Sequence, residues 1–192
     1  EDVQKLGIEN GDYIAYDPKT VLCESGYIKS RFLDDKLSVC ILMSLLESYK
    51  TNHIVPERGF YICISTYEEV GHGASYVPEE VKEFISVDMG CIGEDLSCTE
   101  RDVSICAKDS GGPYDYDITT LMSNLAKENN IRHAIDIYPF YGSDTGAALK
   151  GGNNIKGGLI GPGVAHSHGM ERSHIDGVIA TFNLLKAYID RK

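Results

Sequence analysis

The chain has 192 residues, with 18 Lys and Arg against 29 Asp and Glu, six His, six Cys and no Trp. That length suits one domain, or one domain with a small attachment, and a hydrophobic fraction of 42% can build a sizeable core, which rules out disorder as the main description. The net charge of −11 excludes nucleic acid and an anionic membrane as partners, and the longest apolar run, Val39 to Met43 with Leu45 and Leu46 beyond, is far too short to span a bilayer.

The opening Glu1-Asp2-Val3-Gln4-Lys5 lacks the basic start and apolar core of a signal peptide, and it lacks an initiator Met. A processed chain or a piece of a longer protein is expected. The cysteines (Cys23, Cys40, Cys63, Cys91, Cys98, Cys106) are scattered without a CxxC pair, and several sit in apolar runs as buried free thiols do. A reduced, cytoplasmic setting follows, and a zinc ribbon is excluded.

From Asp35 to Tyr49 apolar residues lie on most sides of a helical period, so a buried helix is predicted. Gly59 to Thr66 is a continuous β-favouring run, as in strands of a parallel sheet covered on both faces. A short helical stretch from Glu79 to Glu83 leads to a strand Phe84–Val87 that ends at Asp88. Val103–Ala107 is a further strand, Tyr116–Glu128 carries a helical stripe, and His133–Ile137 is a strand running into a Gly-rich loop, Gly142 to Gly152. The stretch from Gly151 to Gly158 has no GxGxxG or Walker spacing and reads as loop and turn. A last helix follows a capping-box-like Ser173 with Asp176 three residues on. The fold class is α/β, with a central mixed sheet between two helical layers.

In open α/β sheets functional groups gather where strands end. Asp34-Asp35, Glu68-Glu69, Asp88 and His166/His168 fall at such places. Taken singly, each has a plain reading: an N-cap and first-turn acid for the Asp pair, solvated carboxylates for the Glu pair, a surface or satisfied core His. Together they supply hard oxygen ligands and a nitrogen, the donor set of a divalent metal site. Adjacent glutamates on extended chain point in different directions, so one can hold metal while the other faces substrate water. A divalent ion lowers the pKa of its water, and a free carboxylate nearby then takes the proton, which is hydrolytic chemistry.

Phe32-Leu33-Asp34-Asp35-Lys36, Tyr67-Glu68-Glu69-Val70-Gly71, Val87-Asp88-Met89-Gly90 and Gly142-Ser143-Asp144-Thr145-Gly146 resemble, in order and over nearly the whole chain, successive motifs of the dinuclear metallo-aminopeptidases of metallopeptidase family 42. Ser167-His168-Gly169-Met170-Glu171-Arg172-Ser173-His174 is similar to an SHGxERTH-type segment of one branch. The resemblance implies a three-layer zinc-exopeptidase (phosphorylase/hydrolase-like) fold and two divalent ions, zinc or cobalt. It implies short peptide substrates, no nucleic acid or membrane partner, and a homo-oligomer of the full-length parent. By resemblance Asp34 bridges the two metals, followed by Asp35 through a strained peptide open to the cis form. Glu68 is the catalytic general base, Glu69 a ligand of one metal and Asp88 of the other. His168 completes the first site in preference to His166. Asp144 either sits by the substrate amine or positions a ligand, and an Asx-turn in the loop is the plain alternative.

The family places a further ligating His, in an HxD motif, far upstream of its Asp-Asp pair, and its members are nearly twice this long. Only 33 residues precede Asp34. The chain is therefore expected to be the C-terminal part of such an enzyme, with one metal site incomplete. Residues 1–28 would be a remnant of an inserted domain or lead-in, and 29–192 the C-terminal part of the catalytic domain. Two other functions fit these residues less well. Glycoside hydrolysis needs carboxyls about 5–5.5 Å apart on either side of a sugar, which adjacent Glu68 and Glu69 do not easily provide. A non-catalytic binding or assembly module, or an inactive fragment, is disfavoured because every motif present keeps its chemical residues.

Overall fold

The computed structural model describes residues 2–191; Glu1 and Lys192, the outer ends of the two predicted segments, lie outside the described residues. The elements run α1 (Asp2–Lys5), β1 (Val21–Leu22), β2 (Tyr27–Ser30), α2 (Leu33–Thr51), β3 (Glu83–Val87), β4 (Gly90–Cys91), β5 (Val103–Asp109) and β6 (Gly112–Pro113). They continue with α3 (Tyr116–Glu128), β7 (His133–Ile137), α4 (Asp144–Lys150), β8 (Lys156–Val164), β9 (Glu171–His174) and α5 (Ile175–Asp190).

The main sheet is mixed. Strand β8 lies at its centre, parallel to β3 and β4 on one side and antiparallel to β5 on the other, and β5 pairs in parallel with β7. A smaller antiparallel sheet runs β1-β2-β9. Successive residues of a strand face opposite ways, and β8 shows both layers at once. A Cβ on Gly157 would meet Thr145 of α4, and one on Gly158 would meet Ile118 of α3. Helices α2, α3 and α5 cover one face through a core of Leu45, Tyr49, Val103, Ile105, Ile118, Met122, Ile160 and Leu184. On the other face Ala148 of α4 packs with Ala74 and Val77. The three-layer α/β architecture is as predicted.

Asp115 begins α3 by accepting a hydrogen bond from the Ile118 N–H at 3.1 Å. The predicted bounds of α3 and β7 are those observed. Five local expectations are corrected. Helix α2 is buried on one face only: Ile41, Leu45 and Tyr49 turn inward, whereas Met43 and Leu46 are exposed. Gly59–Thr66 forms no strand. Phe60 packs on the core and against Tyr49 at 6.0 Å between rings, yet Tyr61 and Ile64 face outward. The run lines a cleft of about 1470 Å³ together with β3, without entering its ladder. Apolar β-favouring composition reports burial preference, and a strand also needs a hydrogen-bonding edge beside it.

No helix forms from Glu79 to Glu83: Glu79 and Glu80 lie in a turn closed by the Val81 N–H on Pro78 O, and Glu83 already opens β3. The Gly-rich stretches hide α4 and the first three residues of β8, where Gly157 and Gly158 look like turn signals but are there for close approach. Ser173 does not cap α5. It is held in β9 opposite Ile28 and donates to Gly163 O at 2.8 Å, and the cap is His174, whose Nδ1 accepts from the Asp176 N–H at 3.0 Å.

Gly161 of β8 shows how tightly the sheet abuts the site. A Cβ there would stand 1.9 Å from Asp88 O. Backbone cannot yield as a flexible side chain does, so Gly161→Ala is expected to cost about 1–3 kcal/mol or to push Asp88 from its place. Chemical denaturation with and without added cobalt distinguishes the two outcomes.

Among the described residues no helix is long and apolar enough to cross a membrane. All six cysteines are free; Cys98 and Cys106 are buried as expected, while Cys40 and Cys63 are exposed.

Candidate metal centre

The Asp34-Asp35 pair lies at the N-terminal end of α2, but it is no helix cap. Phe32 takes left-handed angles (φ 64°), Asp34 and Asp35 are non-helical, the peptide between them is cis, and no side chain caps the helix. The backbone thus enters the helix by a turn that presents both carboxyls to the end of β3. There Asp88 follows the last ladder residue, Val87, and is buried at 5% exposure. Ser38 of α2 donates to Asp88 O at 2.8 Å, tying helix to strand end.

The Glu68-Glu69 pair sits on one turn of 3-10 helix, Glu68–Val70, and not on extended chain as predicted. A 3-10 turn also sends neighbouring side chains apart, about 120° around its axis. Glu69 turns towards His168, whose Nε2 lies 3.2 Å from Glu69 Oε2 and 3.5 Å from Asp34 Oδ2. Glu68 stays half-buried beside this group.

Among the described residues two sets of ligand atoms result, each mutually within 4.8 Å: Asp34, Glu69 and His168, and Asp34, Asp35 and Asp88. Asp34 belongs to both. His166 joins neither, so of the two histidines the structure brings His168 to the carboxylates. Asp144, at the start of α4, accepts from the Ser65 hydroxyl at 2.7 Å, and its other oxygen faces Gly73 with no partner. Gly73 is required there, since a Cβ would lie 2.5 Å from that oxygen and 2.9 Å from the Glu68 N–H nitrogen. Asp144 therefore packs under the loop that carries the glutamates.

The electrostatics are those of acids crowded without counter-charge. Burial first, then Asp88, Asp34 and Glu68, push Asp35 up to about 10. Burial and the Glu69, Asp144 and Asp34 carboxylates push Glu68 up to about 7. Asp88 is raised well above the usual range by burial, Asp34 and Glu68. One buried oxygen of Asp35 has no hydrogen-bond partner. Native folds rarely leave such groups unsatisfied. Convergent carboxylates, one imidazole and an orphaned oxygen fit a divalent cation of the zinc, cobalt or manganese kind.

Sequence reasoning missed three contributors. The Ser167 hydroxyl donates to Asp34 Oδ2 at 2.6 Å. Tyr141 is half-buried at the strand end, where its hydroxyl donates to Met89 O at 3.3 Å, and burial and the nearby Asp88 carboxylate push that hydroxyl well above the usual tyrosine range. Glu171 is buried and accepts backbone N–H bonds from Asp34 and His168. Ser167 and Glu171 carried a sequence signal, since both stand in the segment that resembles the SHGxERTH type, whereas Tyr141 carried none.

The fold and site define an α/β domain with a carboxylate and imidazole centre at its strand ends, suited to divalent ions. The chain belongs to the M42 glutamyl aminopeptidase family, whose model matches residues 1–184. It is 43% identical over 190 residues to the protein YhfE of Bacillus subtilis (strain 168), covering 98% of this chain and 55% of that one. Its fold is similar to that of aminopeptidase APDkam598 from the archaeon Desulfurococcus kamchatkensis (TM-score 0.81, 18% identity, 98% of this chain and 56% of that chain). It is also similar to the TET1 peptidase of Pyrococcus horikoshii, which can assemble into a tetrahedron or a large octahedral shell (TM-score 0.74, 19% identity, 90% of this chain and 53% of that chain). The chain spans about half the length of these relatives.

Proposed function

We propose that the chain is the C-terminal catalytic part of a metal-dependent aminopeptidase, which removes N-terminal residues from short peptides at a two-metal centre. The observation that carries this reading is the sharing of Asp34 between two ligand sets. In it Asp34 would be shared by two ions, zinc or cobalt, with Glu69 and His168 holding one and Asp88 the other, while Asp35 would support the second. Ions bound there supply Lewis acidity, polarising a scissile carbonyl and acidifying water.

The chain's own residues do the rest. Glu68 belongs to neither ligand set, so its carboxylate is free to take a proton from the attacking water and pass it to the leaving amine nitrogen. Asp144 and Ser65 brace the loop that aims it. The Asp34, Asp35 and Asp88 set holds only carboxylates, and its nitrogen ligand is proposed to come from a segment outside these 192 residues. We assign 29–192 to the C-terminal part of the catalytic domain and 1–28 to a remnant of an inserted domain or a lead-in. Homo-oligomerisation is proposed by analogy with the assembling TET1 relative. Six free thiols suit a reducing, cytoplasmic location.

The test is elemental analysis of the full-length protein that contains this chain, after saturation with zinc or cobalt and desalting, alongside hydrolysis of short peptides. Two ions per chain, with N-terminal residues released, release abolished by a chelator and restored by cobalt, are expected. Hydrolysis that survives complete metal removal would overturn the reading.

A further inference from the structure

Glu171 is the one fully buried carboxylate that touches both ligand-bearing segments yet belongs to neither ligand set among the described residues. It opens β9, where it is held opposite Ser30 of β2. The next residue, Arg172, closes the hairpin by exchanging backbone hydrogen bonds with Ala165 and is anchored by Glu100. The hairpin tip, His166 to Gly169, has one internal backbone bond, from Gly169 N–H to His166 O. His166 and His168 there both take left-handed angles (φ 60° and 64°) that side-chain-bearing residues rarely adopt. Nothing in the tip itself fixes His168.

From its rigid strand Glu171 reaches both sides of the site. Its Oε1 accepts the His168 N–H at 3.1 Å and its Oε2 accepts the Asp34 N–H at 3.0 Å. One carboxylate therefore spans the two chain segments that meet at the Glu69, His168 and Asp34 set. Each oxygen is used by a different segment, and both segments leave regular secondary structure at that residue.

The geometry points to Glu171 as a positioning residue that sets the spacing of Asp34 and His168 for the bound ion. This rests on the two-metal reading for its consequence, but not for its geometry. Outer-shell partners of this kind typically account for about 10–100-fold in metal affinity. Gln keeps the shape of the side chain but turns one acceptor into an NH2 group facing a backbone N–H, so it can serve only one of the two segments.

The experiment compares wild type with Glu171→Gln in cobalt affinity, in the visible absorption of the cobalt form, and in amide hydrogen exchange of the metal-free protein. The expected result is cobalt binding about 10–100-fold weaker, an altered ligand-field spectrum at saturation, and faster exchange at Asp34 and His168 with α3 and β5 unchanged. Wild-type affinity and an unchanged spectrum in the variant would reduce Glu171 to a structural acid and overturn the proposal. Should wild type bind no cobalt, the two-metal reading fails, and exchange alone decides. Slow Asp34 and His168 amides in wild type that become fast in the variant uphold the clamp; fast amides in wild type overturn it. A variant that does not fold leaves the same wild-type measurement decisive.

Discussion

Glu68→Gln is expected to lower the rate of N-terminal residue release about 10²–10⁴-fold, the range that a positioned general base contributes, while leaving cobalt stoichiometry unchanged. The separation follows from geometry. Glu68 lies outside both ligand sets, whereas its neighbour Glu69 lies in one of them, 3.2 Å from His168 Nε2. Glutamine fills the same space and accepts hydrogen bonds, but it cannot take up a proton at neutral pH. The loop bracing is untouched, since Asp144 holds it through Ser65. Glu69→Gln should show the converse pattern, with metal binding weakened and activity recovering in part at higher cobalt. Steady-state kinetics at saturating metal, paired with a metal titration of each variant, measures both. If Glu68→Gln keeps wild-type turnover, Glu68 is not the base.

The second large effect is expected at Asp34. Asp34→Ala should reduce bound metal from two ions per chain to none after desalting, with an affinity loss beyond the about 100-fold of a lost outer-shell partner. Asp88→Asn should remove only one ion, because Asp88 belongs to a single ligand set. Retention of two ions by Asp34→Ala would show that Asp34 does not bridge.

The metal-free fold should not suffer from the same change. Asp35 and Glu68 are raised from 3.8 to about 10 and from 4.5 to about 7, with the Asp34 charge among the causes in both. Acids raised by folding contribute stability that is present below their ordinary values and is lost as pH rises through the folded ones. At neutral pH the cluster therefore destabilises the metal-free protein, and removing Asp34 relieves part of that repulsion. Melting temperatures of metal-free wild type and Asp34→Ala, compared at pH 5 and 8, check this. The variant should match or exceed wild type, with the larger advantage at pH 8.

Much of the fold is legible in local pattern. The stripe over Tyr116–Glu128 and the alternation of strands with helices need only the periodicity of side chains around a helix or across a sheet. The acids and His168 could likewise be named, because motif order along the chain carries the resemblance and those residue types suit a hard divalent ion. Tertiary structure alone decided what depends on an element's neighbours. Gly59–Thr66 has the composition of a strand but no ladder to join, since hydrogen-bonded edges belong to the sheet and not to the segment. Gly157 and Gly158 of β8 read as loop and turn, yet they stand where Thr145 and Ile118 press against the backbone. The cap of α5 passed from Ser173 to His174 because pairing with β2 turned the serine inward. The sharing of Asp34 between two ligand sets and the reach of Glu171 to both segments are distances between residues far apart in the chain. Sequence order carries no such distances; packing of the hairpin, the helix end and the strand end sets them.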